Sequence, residues 1–154
     1  MNLNDFIADA ADGHGLPIPL VQAIVQVESG GNPWACRYES AFYQRYVADR
    51  GHRVWPGCSR DTEERLRATS FGLMQIMGQT ARELGFNEIF LTGLCDSVQG
   101  LNWGCRHLAR QVQRYNGNLE SAVAAYNAGS ARRAPDGQWR NQGYVDKVRK
   151  AGGI

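Results

Sequence analysis

The chain lacks any hydrophobic run long enough to cross a lipid bilayer, which takes about 20 consecutive apolar residues. Its first residues, Met1–Phe6, also lack the positive charge and the apolar core of a secretory signal. We therefore predict a protein that is made in the cytoplasm without a signal peptide and does not insert stably into a membrane. Any export would use another route.

Histidine and cysteine are scarce, and neither residue occurs at the spacing of a metal site. The three histidines lie far apart, at His14, His52 and His107. The four cysteines include no Cys-x-x-Cys pair, so we expect no metal and no cofactor. Pairing Cys36 with Cys58 and Cys95 with Cys105 would close the shortest disulfide loops. Free buried thiols are an equal alternative.

A strong charge of one sign is missing as well. The formal net charge is +2, and Arg132-Arg133 is the one adjacent pair among dispersed arginines. This distribution excludes the basic stripe expected of a nucleic-acid-binding protein. The length of 154 residues, with 43% hydrophobic and 21% charged residues, predicts one globular domain over residues 1–154. We expect this domain to be a monomer.

Apolar residues recur at helical spacing in the second half of the chain. The clearest amphipathic helix begins after a capping residue, Asp96, and ends at Asn116-Gly117. Its apolar face consists of Val98, Leu101, Cys105, Leu108, Val112 and Tyr115. Asn118 is expected to cap an alanine-rich helix that Gly129 closes, and a final helix is predicted over residues 142–150.

Shorter helices are predicted in the first half. One should begin at Asn4 or Asp5, another near Pro19, and a short polar helix should be capped by Asp61. No segment shows convincing strand alternation, although a short β-hairpin fits within residues 34–69. The sequence therefore predicts a mainly α fold in a single domain.

Glu28 closes a segment, residues 20–27, that is apolar on almost every face of a helix. Ser29-Gly30-Gly31 follows, and tandem glycines are a signal for the end of a helix. Burial and the negative end of the helix dipole should both raise the pKa of the Glu28 carboxyl. A carboxyl group that stays protonated near neutral pH suits a general acid, so Glu28 is a candidate catalytic residue. The alternative is an ordinary solvated glutamate at a helix end.

Three further segments hold polar groups that need a hydrogen-bonding reason. Gln75 interrupts the apolar stretch 70–77, and Tyr126-Asn127 lies late in the alanine-rich helix, where asparagine is a poor helix former. Tyr144 is an amphipathic residue whose hydroxyl would need a partner if it were buried. Taken singly, each is weak evidence for function, because a satisfied polar group in the core also explains it.

Taken in order, these segments are similar to the motif series of the soluble lytic transglycosylases, which are lysozyme-like enzymes related to goose-type lysozyme. The motifs are Glu28-Ser29, Gly72-Leu73-Met74-Gln75, Ala125-Tyr126-Asn127-Ala128-Gly129, and Tyr144. The resemblance covers about residues 16–150. It implies a lysozyme-like domain with a substrate cleft that binds the glycan strands of peptidoglycan.

The resemblance also implies a role for each motif residue. Glu28 would be the single catalytic acid and base, and Ser29 would help to orient the site. Met74 and Gln75 would line the sugar groove, and Tyr126 and Asn127 would contact the acid and the sugar. Tyr144 would lie close to the acid within the substrate-binding site. The implied reaction cleaves the β-1,4 bond between N-acetylmuramic acid and N-acetylglucosamine and leaves a 1,6-anhydro ring on the muramic acid.

The segment from Pro33 to Thr69 departs from the family pattern because it is longer than the usual link between the first two motifs. It contains a second Glu-Ser pair, Glu39-Ser40. Glu39 is expected either to bind substrate or activate water in the cleft, or to form a structural ion pair with Arg37 or Arg45.

Three functions follow from these observations. The first is a lytic transglycosylase that uses Glu28 alone. The second is a hydrolytic muramidase of the goose-lysozyme kind, which requires Glu39 or Asp49 across the cleft. The third is a non-catalytic wall-binding or virion structural protein. Because no signal peptide is seen, we expect an endolysin or virion-associated enzyme of a bacteriophage that acts on the host wall in the periplasm. A bacterial enzyme whose leader has been removed is the alternative.

Overall fold

The structure is a computed structural model and describes residues 2–154. Its helices are α1 (Leu3–Gly13), α2 (Ile18–Ser29), α3 (Ser40–Phe42), α4 (Arg60–Arg67), α5 (Gly78–Leu84), α6 (Ser97–Arg114), α7 (Leu119–Ala128) and α8 (Gln142–Lys150). A π-helical segment (Tyr43–Val47) follows α3, and a 3₁₀ helix spans Leu91–Cys95. The predicted mainly α fold is confirmed. No helix within residues 2–154 combines the length and the apolar character needed to cross a membrane.

Local capping chemistry sets the helix ends that matter for the site. Gly30 ends α2 with a left-handed φ of 60°, as the sequence predicted. Asp96 and Asn118 cap α6 and α7 by accepting backbone N–H groups, and Gly129 closes α7. The predicted bounds of α8 are also confirmed.

Two predicted helix starts were displaced by neighbouring caps. Helix α1 begins at Leu3 because Asn2 and Asp5 form a reciprocal capping box. Helix α4 begins at Arg60 because the hydroxyl of Ser59 accepts the Thr62 N–H, so Asp61 lies inside the first turn.

The strands form one antiparallel sheet in the order β1-β2-β3, with β1 at Cys36–Tyr38, β2 at Thr69–Phe71 and β3 at Ile76–Met77. Strand β1 pairs with β2 across the segment expected to hold a hairpin, with Arg37 opposite Ser70. The tight hairpin lies just beyond it, between β2 and β3, and its turn is the Gly72–Gln75 motif. The β structure therefore extends past the predicted 34–69 region.

Two clusters of buried side chains position the site. The larger cluster joins α1, α2, α6, α7 and α8, and it includes Leu73 and Met74 from the β2–β3 turn. The smaller cluster lies among the sheet, α5 and the 3₁₀ helix, with Phe71 and Phe86 as its largest members. The β2–β3 turn thus reaches from the sheet into the helical core.

Helix α4, predicted as a short polar helix, carries a buried ion cluster. The Glu63 carboxylate is fully buried and lies 2.9 Å from the Arg67 Nε and 2.8 Å from the Arg82 Nε. Arg82 also donates to the backbone carbonyls of Phe86 and Glu88. These bonds tie α4 to α5 and to the loop that follows α5, because a charge buried at this depth needs partners.

Candidate active site

Glu28 lies in the last turn of α2, partly buried, with its side chain in a cleft. The Tyr144 hydroxyl, from the first turn of α8, donates a 2.7 Å hydrogen bond to Glu28 Oε1. Because the two residues are 116 positions apart, this bond depends on the packing of α8 against α2. The first and the last of the sequence motifs are therefore in direct contact through the Glu28 carboxyl group.

Burial raises the pKa of the Glu28 carboxyl above its usual value, and the Tyr144 hydrogen bond offsets part of that rise. The larger effect is desolvation, so the protonated form of Glu28 is favoured relative to a solvated glutamate. The same direction was expected from the position of Glu28 at the end of a buried helix. A proton held here is available to a group bound in the cleft.

Two tyrosine hydroxyls flank the acid in different ways. Burial and the charge on Glu28 raise the pKa of both Tyr144 and Tyr126, so each stays a neutral donor. Tyr126 is 8% exposed, and its hydroxyl donates 2.7 Å to the backbone carbonyl of Met74. Tyr126 therefore fixes the β2–β3 turn against α7, whereas Tyr144 holds the acid.

The β2–β3 turn depends on two residues with positive φ. Gly72 has φ 74°, and a Cβ there would collide with the carbonyl oxygen of Leu94, so only glycine fits. Gln75 has φ 48°, a conformation that costs energy in a residue with a side chain. The Gln75 amide offsets this cost by donating to the carbonyls of Ala35 (2.9 Å) and Gly72 (3.0 Å).

Gln75 was expected to bind the polar groups of a sugar. Both of its N–H donors are already engaged, and its Oε1 accepts the Ser70 hydroxyl at 3.0 Å. Gln75 does line the cleft, so one lone pair of its Oε1 is the polar capacity left for a ligand. The main role of the Gln75 amide is to stabilise the β2–β3 turn through these hydrogen bonds.

The prediction that the Met74 side chain lines the sugar groove is wrong. The side chain is fully buried, and its sulfur accepts a 3.8 Å contact from the Cys105 thiol behind the turn. That placement came from the family resemblance alone. The structure gives Met74 two supporting roles: packing against Gly104 of α6 and providing the carbonyl that holds Tyr126.

Ser29 links the end of α2 to the same turn. Its hydroxyl donates 2.8 Å to the Leu73 carbonyl and accepts the Gly31 N–H at 3.2 Å. Ser29 is not among the residues that line the cleft. Its contacts position the neighbouring Glu28 against the β2–β3 turn.

The cleft has a volume of about 540 Å³. Its lining residues are Glu28, Arg37, Glu39, Phe42, Tyr46, Ser70, Gln75, Ile76, Met77, Thr80, His107, Tyr126, Asn127, Ala128 and Gly129. Asn127 is exposed there, and its side-chain oxygen accepts a 3.0 Å bond from Asn141. A pocket of this size with a few polar groups suits one section of a polymer.

Glu39 lines the same cleft as Glu28. Arg37 Nε lies 2.8 Å from Glu39 Oε1, so the expected ion pair is present. Because both partners line the cleft, this pair is also exposed to a bound ligand. Asp49, the other candidate for a second carboxylate, is exposed and is not among the lining residues.

His107 is a lining residue that the sequence did not reveal. Its ring packs on that of Tyr126, with centroids 5.0 Å apart and planes tilted by 44°. Burial, with the nearby charge of Arg110, lowers the pKa of His107 to about 4, so it is neutral in the cleft. The helical spacing did contain one indication of this position. His107 lies three residues after Gly104 and four before Gln111, and both of these residues face the core, so His107 lies on the same side of α6.

The sequence left the state of the cysteines open between disulfides and free thiols. All four cysteines are free thiols, which answers the choice between disulfides and thiols. Among residues 2–154, no group of three or more His, Cys, Asp or Glu side chains is arranged to hold a metal ion.

A comparison with protein-family models matches residues 5–147 to the transglycosylase SLT domain. Every residue that lines the cleft falls within this match, as do both partners of the Glu28–Tyr144 hydrogen bond. The predicted family is therefore confirmed. The chain belongs to the transglycosylase SLT domain family, whose members degrade peptidoglycan in the manner of lytic transglycosylases.

Proposed function

We propose that this protein is a lytic transglycosylase that cleaves the β-1,4 bond between N-acetylmuramic acid and N-acetylglucosamine in peptidoglycan, with Glu28 as its single acid and base. The observation that carries the proposal is the partly desolvated Glu28 carboxyl in the cleft, with its pKa raised and its Oε1 bonded to Tyr144. Acid cleavage of a glycosidic bond requires a carboxyl group with a raised pKa, placed in a cleft that admits a section of the glycan strand.

In the first step, protonated Glu28 donates its proton to the glycosidic oxygen. The bond from this oxygen to C1 of the muramic acid breaks, and the electron pair leaves with the N-acetylglucosamine, whose O4 becomes a hydroxyl. An oxocarbenium-like centre then develops at C1, and Glu28 is left as a carboxylate. The Tyr144 hydroxyl donates to that carboxylate and stabilises the charge that appears.

In the second step, the Glu28 carboxylate takes the proton from the C6 hydroxyl of the same muramic acid. The freed O6 attacks C1 and closes the 1,6-anhydro ring, so Glu28 is protonated again and no water is consumed. The attack is intramolecular, and a preoriented nucleophile gains a large effective concentration. A second carboxylate is therefore not required.

The remaining predicted residues fall into two groups in this proposal. Asn127 and the free lone pair of Gln75 bind polar groups of the sugar, because both residues line the cleft. Ser29, Met74 and Tyr126 position Glu28 and the β2–β3 turn through the bonds described above. The place of action would be the cell wall in the periplasm, where the substrate lies.

A second candidate is a hydrolytic muramidase, which the position of Glu39 favours. Glu39 lines the same cleft as Glu28, and an ionised carboxylate there is able to activate water. The Arg37 ion pair counts against this role because it already engages one of the two Glu39 carboxylate oxygens.

Digestion of purified peptidoglycan in ¹⁸O-labelled water separates the candidates. A transglycosylase incorporates no label into its muramic ends, whereas a muramidase adds one ¹⁸O to each new reducing end. If label is incorporated and Glu39→Gln abolishes it, the muramidase replaces our proposal. If no muropeptides are released, the protein is instead a non-catalytic wall-binding protein.

A further inference from the structure

The inserted segment 33–69 carries four aromatic residues around α3 and the π-helical segment, and they divide into two pairs. Tyr38 and Tyr43 form the first pair and hold Arg65 of α4, whose guanidinium carbon lies 4.1 Å from the Tyr43 ring centre. The Arg65 guanidinium also donates 2.7 Å to the Tyr38 hydroxyl. This pair therefore fastens the inserted segment to α4.

Phe42 and Tyr46 form the second pair, and both line the cleft of Glu28. Their ring centres lie 4.8 Å apart with planes tilted by 48°, and Tyr46 is 48% exposed. The guanidinium carbon of Arg45 lies 5.2 Å from the centre of the Tyr46 ring. Phe42 is half-buried and Tyr46 is exposed, so this pair presents aromatic surface to the cleft that packing within the protein does not use up.

The segment that presents these rings is held in place on the protein side. Val47, next to Tyr46, is fully buried, and the backbone N–H of Glu39 donates 2.9 Å to the Ala68 carbonyl beside β2. The rings are therefore presented from a fixed backbone. Binding to such a surface requires little further ordering of the protein.

We propose that Phe42 and Tyr46 form a stacking subsite for one sugar ring of the glycan strand, apart from the bond that Glu28 cleaves. This inference rests on the proposed function. The apolar face of an N-acetylhexosamine ring presents C–H groups that pack on aromatic surfaces, while its hydroxyls stay in water. The subsite belongs to the inserted segment and would favour strands long enough to reach both the rings and Glu28.

Isothermal titration calorimetry tests the subsite without turnover. The folded Glu28→Gln variant is titrated with a β-1,4-linked N-acetylglucosamine hexamer, and the Kd is measured. Adding Tyr46→Ala or Phe42→Ala should raise the Kd by about 10-fold, since a stacked ring contributes roughly 1–1.5 kcal/mol. Tyr46→Phe keeps the ring and should leave the Kd within about twofold. Phe90→Ala removes an aromatic residue that is 47% exposed outside the cleft, and it should have no effect.

An unchanged Kd in both alanine variants would overturn the subsite, as would failure of the Glu28→Gln parent to bind the hexamer. A Kd that rises equally in Phe90→Ala would also count against it. If one alanine variant fails to fold, the other decides the outcome, because each ring is expected to contribute. Release of anhydro-muropeptides by the wild-type protein is scored separately, so the subsite can fail while the proposed function stands.

Discussion

At the scale of single residues, the chemistry depends on two opposed influences on Glu28. Burial raises the pKa of its carboxyl and keeps a proton available, while the Tyr144 hydroxyl favours the carboxylate left after that proton is given. An acid that must give up a proton and then recover one within a single turnover benefits from both. The sequence supplied the direction of the shift, because a glutamate that ends an apolar helix is desolvated wherever that helix packs.

Tyr144→Phe removes the hydrogen bond that lowers the pKa of Glu28. We expect that pKa to rise further and the alkaline limb of the pH–activity profile to move to higher pH. Activity at the optimum should fall by about 10-fold or more, because the carboxylate formed on proton transfer loses its donor. The profile is measured as the rate of clearing of purified cell walls.

Tyr115→Phe is the matched control, since that hydroxyl accepts the Ala131 N–H at 2.8 Å, outside the cleft. It should leave the alkaline limb in place. An alkaline limb that is the same in Tyr144→Phe and in the wild type would show that this bond does not tune the acid.

His107 has its pKa lowered to about 4 in the fold, against an ordinary value of 6.5. Between these values the unfolded chain binds more protons than the folded one, so stability falls as the pH drops from about 6.5 to about 4. The loss should approach about 3 kcal/mol at most. Chemical denaturation across this range should show a shallower decline for His107→Gln, and parallel curves for the two proteins would contradict the assignment.

At the scale of elements, the helices were predictable because capping residues and glycines close to each end determine where a helix begins and stops. Gly30 and Gly129 stop α2 and α7, and Asp96 starts α6, as expected. The sheet was not predictable in the same way, because its strands have only two or three residues and show no alternation. The pairing of β1 with β2 also crosses the whole inserted segment, which no local pattern records.

Helix α6 packs against the β2–β3 turn at Gly104. A substitution at this position tests how closely the two elements pack. A Cβ at position 104 would lie 2.6 Å from the Met74 sulfur and 2.7 Å from its Cβ. We expect Gly104→Ala to destabilise the fold by about 1–3 kcal/mol through overpacking. It should also lower activity, because Met74 anchors Tyr126 near Glu28.

The control is Gly143→Ala in α8, where an added Cβ meets nothing within 4 Å. That change should be neutral or should stabilise by up to about 1 kcal/mol, since alanine is the better helix former. Thermal unfolding of both variants is the measurement. Equal melting temperatures would mean that α6 and the turn are not closely packed.

At the scale of the whole molecule, the motif order could be read from the sequence but the full cleft could not. Glu28, Gln75, Tyr126 and Asn127 lie together there, as their motifs implied. The other wall comes from the inserted segment, which contributes the Arg37–Glu39 pair and the rings of Phe42 and Tyr46. These positions depend on long-range strand pairing and on the buried ion cluster of α4, so spacing alone did not reveal them.

All four cysteines are free thiols in the fold, so we expect the protein to contain no disulfide. Thiol titration should count four reactive groups in denaturant, and reductant should leave the melting temperature unchanged. In the folded state Cys105 should react far more slowly than the others, because it is fully buried and its pKa is raised to about 12. A count of two or zero in denaturant without reductant would show that disulfides form.

The role of Glu28 as the single acid and base of a transglycosylase is tested by mass spectrometry of the muropeptides released from purified peptidoglycan by the wild-type protein and by Glu28→Gln. We predict 1,6-anhydro-muramyl ends from the wild type, each lighter by one water than a reducing end. Their release by Glu28→Gln should fall by at least about 10²-fold. Reducing muramyl ends from the wild type, or undiminished anhydro ends from Glu28→Gln, would contradict that role.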